Sequence, residues 1–541
     1  MTTENWTGVA NLADLEGRDR KIVKAGGKQI LLLKRTGPDG DRIIACNNRC
    51  PHEGYPLAEG SVTDSAEANA GGAPHCIVTC NWHNWKFDLD SGETLVGGDA
   101  LRRYLVRVED GKILLDLSDP PAAVAIAKAL DNLTGAFDRH EYDRIAREVA
   151  RLMKAGGDPL DALRRTIAVT HDRFEFGATH ALPATSDWLS LRKDASDDPV
   201  RSLAMLTESI GHFVWDSRRE PSVPYPGGTE DWDEDAFVTA VEAEDEAKAC
   251  ALVRGAVAGG LGWPDMERAF ARAALAHYQD FGHSAIYTYK MRALTAALDD
   301  TESLRSLALL LTRSLVFASR EDLIPEFRAY AGAIDRWDGT GNARVREEDL
   351  RKGSVKAVLT ALCDGSGDMD ALYDAAMGAG AWQLLHFDLA WQDRTDSTVS
   401  QNVGWLDFTH TLTFGNAARK LAEANPDLWP AALLQIGCFL GRNSGFTDAD
   451  LDEGPWRTND PVGAVTSALR AVEDHGKFEY IVSSHLLKLS YAILEEMTDR
   501  PDAPWHGTAA AALTRFLNSP LKRKHTLRTA HQALDFVDAE G

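Results

Sequence analysis

Two short runs place thiol and imidazole side chains at metal-binding spacing. Cys50-Pro51-His52 and Cys80-Asn81-Trp82-His83 each offer one cysteine and one histidine. Two thiolates on one iron and two imidazoles on the other are the ligand set of one kind of [2Fe–2S] cluster, whose chemistry is one-electron transfer. The seven cysteines are Cys46, Cys50, Cys76, Cys80, Cys250, Cys363 and Cys438. An odd number with four of them crowded together does not read as a disulfide framework and points to metal instead. A four-thiolate zinc site from Cys46, Cys50, Cys76 and Cys80 is the plainer alternative. Zinc, however, makes no use of the Trp-His-x-Trp-x-Phe-Asp run, and Cys46 and Cys76 are expected as small buried side chains on the strands that feed the loops.

A second set of candidates is histidine alone. His171, His180, His212, His277, His283, His386, His410 and His485 fall in mostly apolar stretches with helical spacing. One such residue is ordinarily a hydrogen-bonded core histidine. Eight in a chain with an electron-transfer motif imply that some converge on a metal, because neutral imidazole is the commonest protein ligand for iron. His171/Glu175 and Glu208/His212 are i,i+4 pairs, able to chelate or simply to hydrogen-bond. His386 and Asp388 are too close to share a helix face. Asp407-x-x-His410 is the only near match to the Glu-x-x-His of di-iron bundles. Trp382, Trp391 and Trp405 either line a pocket for an aromatic substrate or pack in the core. The Pro- and Gly-rich run 215–235 reads as a long loop, over a pocket or over the surface. GAVAGGLG (255–262) follows no strand and is a poor dinucleotide fingerprint.

The elements around these residues change character once. Between residues 20 and 118, alternating or β-branched runs such as KQILLLKR, DRIIACN, CIVTCN and KILLDL are separated by Gly, Asp and Asn clusters, as in an all-β domain. Pro120-Pro121 marks a boundary. From about residue 122 apolar residues recur every three or four positions, as in EYDRIAREVARLMKAG and EYIVSSHLLKLSYAILEEM, which predicts helices to the end. The expectation is a multidomain chain: residues 1–118 all-β, residues 119–541 all-α. SAEANAGGA (65–73) looks like an inserted surface loop. Hydrophobic residues make up 44% and charged residues 26% of 541, and the formal net charge is −24. That balance lacks the basic stripe a nucleic-acid partner needs. With no spanning apolar stretch and no signal-like start, it fits a cytoplasmic protein.

The flanks add a resemblance. CPHEGYPLAEG and CNWHNWKFDLDSGE resemble the two cluster loops of Rieske ferredoxins and Rieske oxygenases, over residues 1 to about 118. That implies a [2Fe–2S] cofactor on Cys50, His52, Cys80 and His83. Asn84 stands where those proteins usually have Gly, so a somewhat different loop backbone is expected. Tyr55 and Trp82 occupy the places of the disulfide that clamps high-potential relatives, which implies a low-potential, oxygenase-type cluster. The mononuclear-iron helix of ordinary Rieske oxygenases, Asp/Glu-x-x-His-x4-His, is absent. Instead THALPA (179–184), GHSAIYTYKMRAL (282–294), FTHTLTFGNAARKL (408–421) and SSHLLKLSYAILEEM (483–497) resemble the helical questin oxidase-like family. That resemblance implies a non-haem iron on His180, His283, His410, His485 and a carbamylated Lys488, with dioxygen as co-substrate and an aromatic or apolar small molecule as substrate. Lys488 is otherwise a snorkelling surface lysine. Electrons are expected from an external ferredoxin or flavin reductase, and the chain is a possible homo-oligomer. Two other readings stay open: an electron-transfer or redox-sensing protein with a non-catalytic helical scaffold, and a metal-dependent hydrolase or isomerase under redox control.

Overall fold

In the computed structural model, residues 6–37, 40–68, 74–218 and 220–540 are described. The Ala/Gly-rich stretch 69–73 of the expected inserted loop lies outside the described residues. By its contacts the chain divides into two compact units, 1–162 and 163–541.

The first unit is built on three antiparallel sheets. Trp6–Asn11, Lys112–Asp116 and Val106–Glu109 form one; Arg20–Ala25, Lys28–Gly37, Gly40–Asn47 and Arg103–Tyr104 form the second; Ser61–Ala68, Pro74–Thr79, Lys86–Asp88 and Thr94–Val96 form the third. The strand Lys28–Gly37 shows why a run as apolar as ILLL is a strand. Side chains alternate across a strand, and here both faces are buried. Leu31 and Leu33 enter a core with Ile44, Leu57, Val78 and Phe87, whereas Ile30 and Leu32 enter a second core with Leu15, Val23, Ile113 and Leu115. The first of these cores also receives Cys50 and Cys80, so it anchors the bases of the two cysteine–histidine loops. Two helices, Ala122–Gly135 and Tyr142–Lys154, complete this unit. Asp99, buried after the last strand of the third sheet, accepts from Arg147 at 2.8 Å and from Arg151.

The second unit is helical throughout, apart from 3-10 turns and an isolated bridge. Four of its helices position the chemistry: Ala181–Asp194, His283–Leu298, Trp405–Ala424 and Tyr480–Asp499. Each packs on the next and the last on the first, closing a ring. Their buried faces are wider than an ordinary amphipathic stripe: from Thr409 to Ala418 every residue of the third helix is buried, as expected of a helix surrounded by others. No helix among the described residues is long and apolar enough to cross a membrane.

Candidate functional site

The two cysteine–histidine segments fold into matching loops. The Cys50 N–H donates to the Tyr55 carbonyl at 2.9 Å and the Gly54 N–H donates back to the Cys50 carbonyl at 2.8 Å; Cys80 with Trp85 (2.7 Å) and Asn84 with Cys80 (2.9 Å) repeat the pattern. Gly54 has φ +78° and Asn84 φ +59°, so both occupy the left-handed region at the same place in their loops. Asparagine is among the few non-glycine residues that accept it; the substitution of Asn for Gly therefore leaves the left-handed turn in place. The loops face each other: the His52 and His83 rings stand 4.7 Å apart, and His52 stacks on Trp85 at 4.4 Å. The Cys50 and Cys80 side chains lie within hydrogen-bonding reach, and the backbone N–H groups of His52 and Glu53 point at the Cys50 sulfur. His52 Nδ1 is buried and has no hydrogen-bond partner. A buried, unpaired imidazole nitrogen beside two thiols is a donor set that fits a metal. Tyr55 and Trp82 stack across the loops at 6.0 Å. Cys46 and Cys76 lie in the strands with buried side chains, and burial pushes their thiols up to about 12 and about 11.

The helical unit gathers a second set. His180 caps the first helix of the ring, His283 opens the second, and His410 and His485 lie in the second turns of the third and fourth. His283 Nε2 is 3.2 Å from His180 Nε2 and 2.9 Å from His410 Nε2. The His485 ring lies 4.7 Å from that of His180 and 5.1 Å from that of His410. The opposite nitrogens are committed. His410 Nδ1 meets the Leu406 carbonyl at 2.7 Å, His485 Nδ1 the Ile481 carbonyl at 2.6 Å and His283 Nδ1 the Asp280 carbonyl at 2.6 Å. A carbonyl only accepts, so each of these Nδ1 atoms carries the proton and each Nε2 presents a lone pair. Burial holds the imidazoles neutral: His283 is pulled down to about 3, and His180, His410 and His485 well below their ordinary value. Two bare lone pairs at 2.9 Å repel unless something electropositive joins them. Imidazole nitrogens gathered this closely with lone pairs inward are a donor set that fits a shared metal ion. His485 Nε2 and Lys488 Nζ are buried without partners. Burial pulls the Lys488 ammonium down to about 7, against the field of Asp187. No carboxylate belongs to the cluster formed by His180, His283 and His410 among the described residues.

The turn before His283 is unusual. Asp280, Phe281 and Gly282 are consecutively left-handed, at φ +48°, +48° and +79°. Phe281 packs its ring 5.1 Å from His410, and a Cβ on Gly282 would lie 2.7 Å from the Phe414 ring. A cleft of about 400 Å³ opens beside this turn, lined by Thr179, Asp280 and Tyr287 and by Phe174, Phe176 and Phe317. The Tyr287 ring lies 5.5 Å from His283 and 6.3 Å from His180, so this one residue of the cleft wall stands between the cleft and the histidines.

Comparison with known proteins bears on the first unit. Residues 5–101 match the model of the Rieske [2Fe-2S] domain. Residues 5–101 are a Rieske domain. Its loops, with an unpaired His52 Nδ1 between paired cysteines, fit the cluster through Cys50, His52, Cys80 and His83. The Rieske domain is similar to the methanesulfonate monooxygenase ferredoxin subunit of Methylosulfonomonas methylovora, at 28% identity over 21% of this chain and 83% of that protein. It is also similar to the 4beta-methylsterol monooxygenase of Methylococcus capsulatus, at 29% identity over 23% of this chain and 32% of that protein. Among solved structures, Escherichia coli NirD aligns at 19% identity, covering 20% of this chain and 94% of that one (TM-score 0.17). Pseudomonas putida CBB5 NdmB aligns at 19% identity, covering 21% and 35% (TM-score 0.16).

The remaining histidines are placed elsewhere. His212 pairs with Asp216 at 3.2 Å rather than with Glu208, which instead meets His475 at 3.0 Å. His171 hydrogen-bonds the Ile167 carbonyl and stacks on Tyr225, apart from Glu175. His277 lies between Glu242 and Asp322, and His386 between the Asp448 carbonyl and Glu453. Asp407 accepts from the Gly404 N–H as a helix cap and does not join His410. Trp382 stacks on His386, Trp391 meets Phe446 edge to face, and Trp405 is buried against Phe387; the aromatic rings of the cleft are Phe174, Phe176, Phe317 and Tyr287. Sequence reading missed these four, because they come from separate segments with no shared spacing. The stretch 220–232 is pinned down, its Val223 and Pro226 carbonyls accepting from Arg313 and Arg254. It is a strap on the helices, not a free lid.

Proposed function

We propose that this chain is a Rieske-type oxygenase. In it the [2Fe–2S] cluster passes electrons to a non-haem iron held by His180, His283, His410, His485 and Lys488, for the oxidation of an aromatic or apolar small molecule with dioxygen. The observation that carries the reading is the convergence of imidazole Nε2 atoms, at 2.9 and 3.2 Å, with the Nδ1 atoms of His283 and His410 already spent on backbone carbonyls. The names of the two relatives, a monooxygenase ferredoxin subunit and a methylsterol monooxygenase, support the oxygenase class. Iron in such an N/O site supplies the redox chemistry that activates dioxygen.

The chain's own residues do the rest. The carbonyls of Leu406, Ile481 and Asp280 fix the tautomers and aim the rings. Burial brings Lys488 down to about 7, so near neutral pH a large share of its amine is unprotonated and free to attack carbon dioxide. The new N–C bond costs the amine one proton and leaves a carbamate, an anionic oxygen donor where no carboxylate stands. Phe174, Phe176 and Phe317 give the cleft an apolar wall, and Trp82, 61% exposed beside His83, leaves the cluster edge open to a ferredoxin or flavin reductase. Tyr55 and Trp82, standing in place of the clamping disulfide, favour a cluster toward the low-potential side of the Rieske range. All seven cysteines are unpaired, as suits the cytoplasm.

The test is iron quantitation with EPR of the reduced protein. Three irons per chain are expected, falling to two in His410→Ala while the Rieske signal stays. Two irons in the wild-type protein would return the helical unit to the role of a scaffold around an electron carrier.

A further inference from the structure

The cleft beside Tyr287 has a charge pattern of its own. Besides its phenylalanines it is lined by Glu175, Asp216, Glu220 and Asp280, against one cation, Arg173. Asp216 is held by Thr179 Oγ1 at 2.6 Å and faces His212 at 3.2 Å. Glu175, Glu220 and Asp280 meet no lysine or arginine within 4.0 Å among the described residues; Asp280 lies 4.0 Å from the neutral His283 ring, and burial, with the field of Glu321 added, pushes its carboxyl up to about 7, so an ammonium set beside it would favour its ionised form. Acidic residues at a cleft mouth are common and would mean little alone. Tyr287 is the independent sign. It is 3% exposed, lines the cleft, and its hydroxyl has no hydrogen-bond partner among the described residues. A hydroxyl that reaches a cleft from an otherwise buried side chain, with no protein partner, is a place for a ligand group. The fields of Asp280 and Asp216, added to burial, hold that phenol far above its ordinary value, so it stays neutral. Phe176 and Phe317, 66% and 48% exposed, meet edge to face at 6.1 Å on the cleft wall.

We infer that this cleft binds an organic cation: a primary amine on an aromatic or apolar body, its ammonium set between Asp280 and Asp216, one N–H on the Tyr287 hydroxyl, and its body against Phe174, Phe176 and Phe317. Carboxylates supply charge-assisted hydrogen bonds to an ammonium. Ring faces attract cations too, and the same carboxylates repel an anion of equal shape. The inference deepens the oxygenase reading by giving its substrate a chemical class, and it rests on that reading only for the cleft's role as substrate entrance.

The experiment is calorimetric titration of the anaerobic, full-length protein with three probes of matched shape: phenethylamine, phenethyl alcohol and hydrocinnamate. The amine should bind at least about tenfold tighter than the alcohol, a difference of about 1.4 kcal/mol, and hydrocinnamate weakest. Because a chain of net charge −24 attracts any cation weakly, the variants decide. Asp280→Asn changes the total by one charge and should erase most of the preference, and Tyr287→Phe should weaken the amine several-fold. Should Asp280→Asn fail to fold, Glu220→Gln at the exposed rim should lower the preference measurably. The inference is overturned if the alcohol or the acid binds as well as the amine, if no probe binds, or if the preference survives in every folded variant. Iron measured on the same samples separates the two readings. Amine preference with two irons sinks the iron centre alone, and three irons without preference sink the amine alone.

Discussion

At the scale of single residues, two backbone positions decide whether ligand-bearing loops keep their shape. Asn84 holds φ +59° in the second cluster loop, where Gly54 does the same in the first. A β-branched side chain is disfavoured there by about 1–2 kcal/mol, so Asn84→Val should lower the melting temperature and bleach the cluster's visible absorbance, whereas Asn84→Gly should leave both within error. Gly282 is the harsher case. Besides φ +79°, a Cβ would stand 2.7 Å from Phe414 and 3.0 Å from Phe439, both packed in the helical core. Crowding a packed core costs about 1–3 kcal/mol, and the strain acts directly on His283. Gly282→Ala should therefore lose the third iron while the Rieske EPR signal survives; unchanged iron would show that this turn does not position the ring. The cluster residues were legible in the sequence because Cys-x-His and Cys-x-x-His are local patterns with one chemistry. The left-handed Asp280-Phe281 pair was not, since an aspartate accepts positive φ without requiring it and a phenylalanine rarely adopts it.

Elements add what spacing leaves out. Helical periodicity identified the segments carrying His410 and His485, and the i−4 carbonyls that hold their Nδ1 atoms follow from helix geometry alone. Which histidines meet was set by the ring of four helices, a tertiary fact; it separates His212 and His386, equally apolar in context, from the cluster. Glu208 and His212 illustrate the limit, because each found a different partner, one of them far along the chain. The first two helices of the ring are further tied by a buried ion pair: Lys290 Nζ lies 2.8 Å from Asp187 Oδ1 and 3.3 Å from Glu495 Oε2, with Tyr289 donating to Glu495 at 2.7 Å. Lys290 and Asp187 side chains are 6% and 1% exposed, so removing one partner strands the other. Lys290→Met should cost about 3–5 kcal/mol, and adding Asp187→Leu should recover most of it. Denaturant melts of the two variants test this; equal losses in both would mean that packing, not charge, governs the site.

For the whole molecule, the change of periodicity near Pro120-Pro121 fixed the order of classes, all-β then all-α, but not how far the first compact unit runs. Its strands end at Asp116, yet its contacts extend to Ala162. The reason is chemical. Asp99 is fully buried, and its carboxylate is answered by Arg147 and Arg151 from a helix beyond the proline pair. Burial alone would raise the Asp99 carboxyl; the two arginines outweigh it and hold the group below its ordinary 3.8. An acid whose value is lowered by folding stabilises the folded state above the unfolded value and loses that contribution as pH falls. Both arginines are partly exposed, so solvent screens the contribution. Two outcomes follow for the Rieske domain. Residues 1–162 expressed alone should fold and assemble the cluster, whereas residues 1–118 leave Asp99 without its arginines and should melt lower and lose colour sooner. Between pH 5 and about pH 3, the shorter piece, or Asp99→Asn in the longer one, should show a flatter fall in stability than the intact unit, because the titrating group that favours folding is gone. Equal melting and equal pH slopes would mean that the two helices merely follow the domain in sequence and do not complete it.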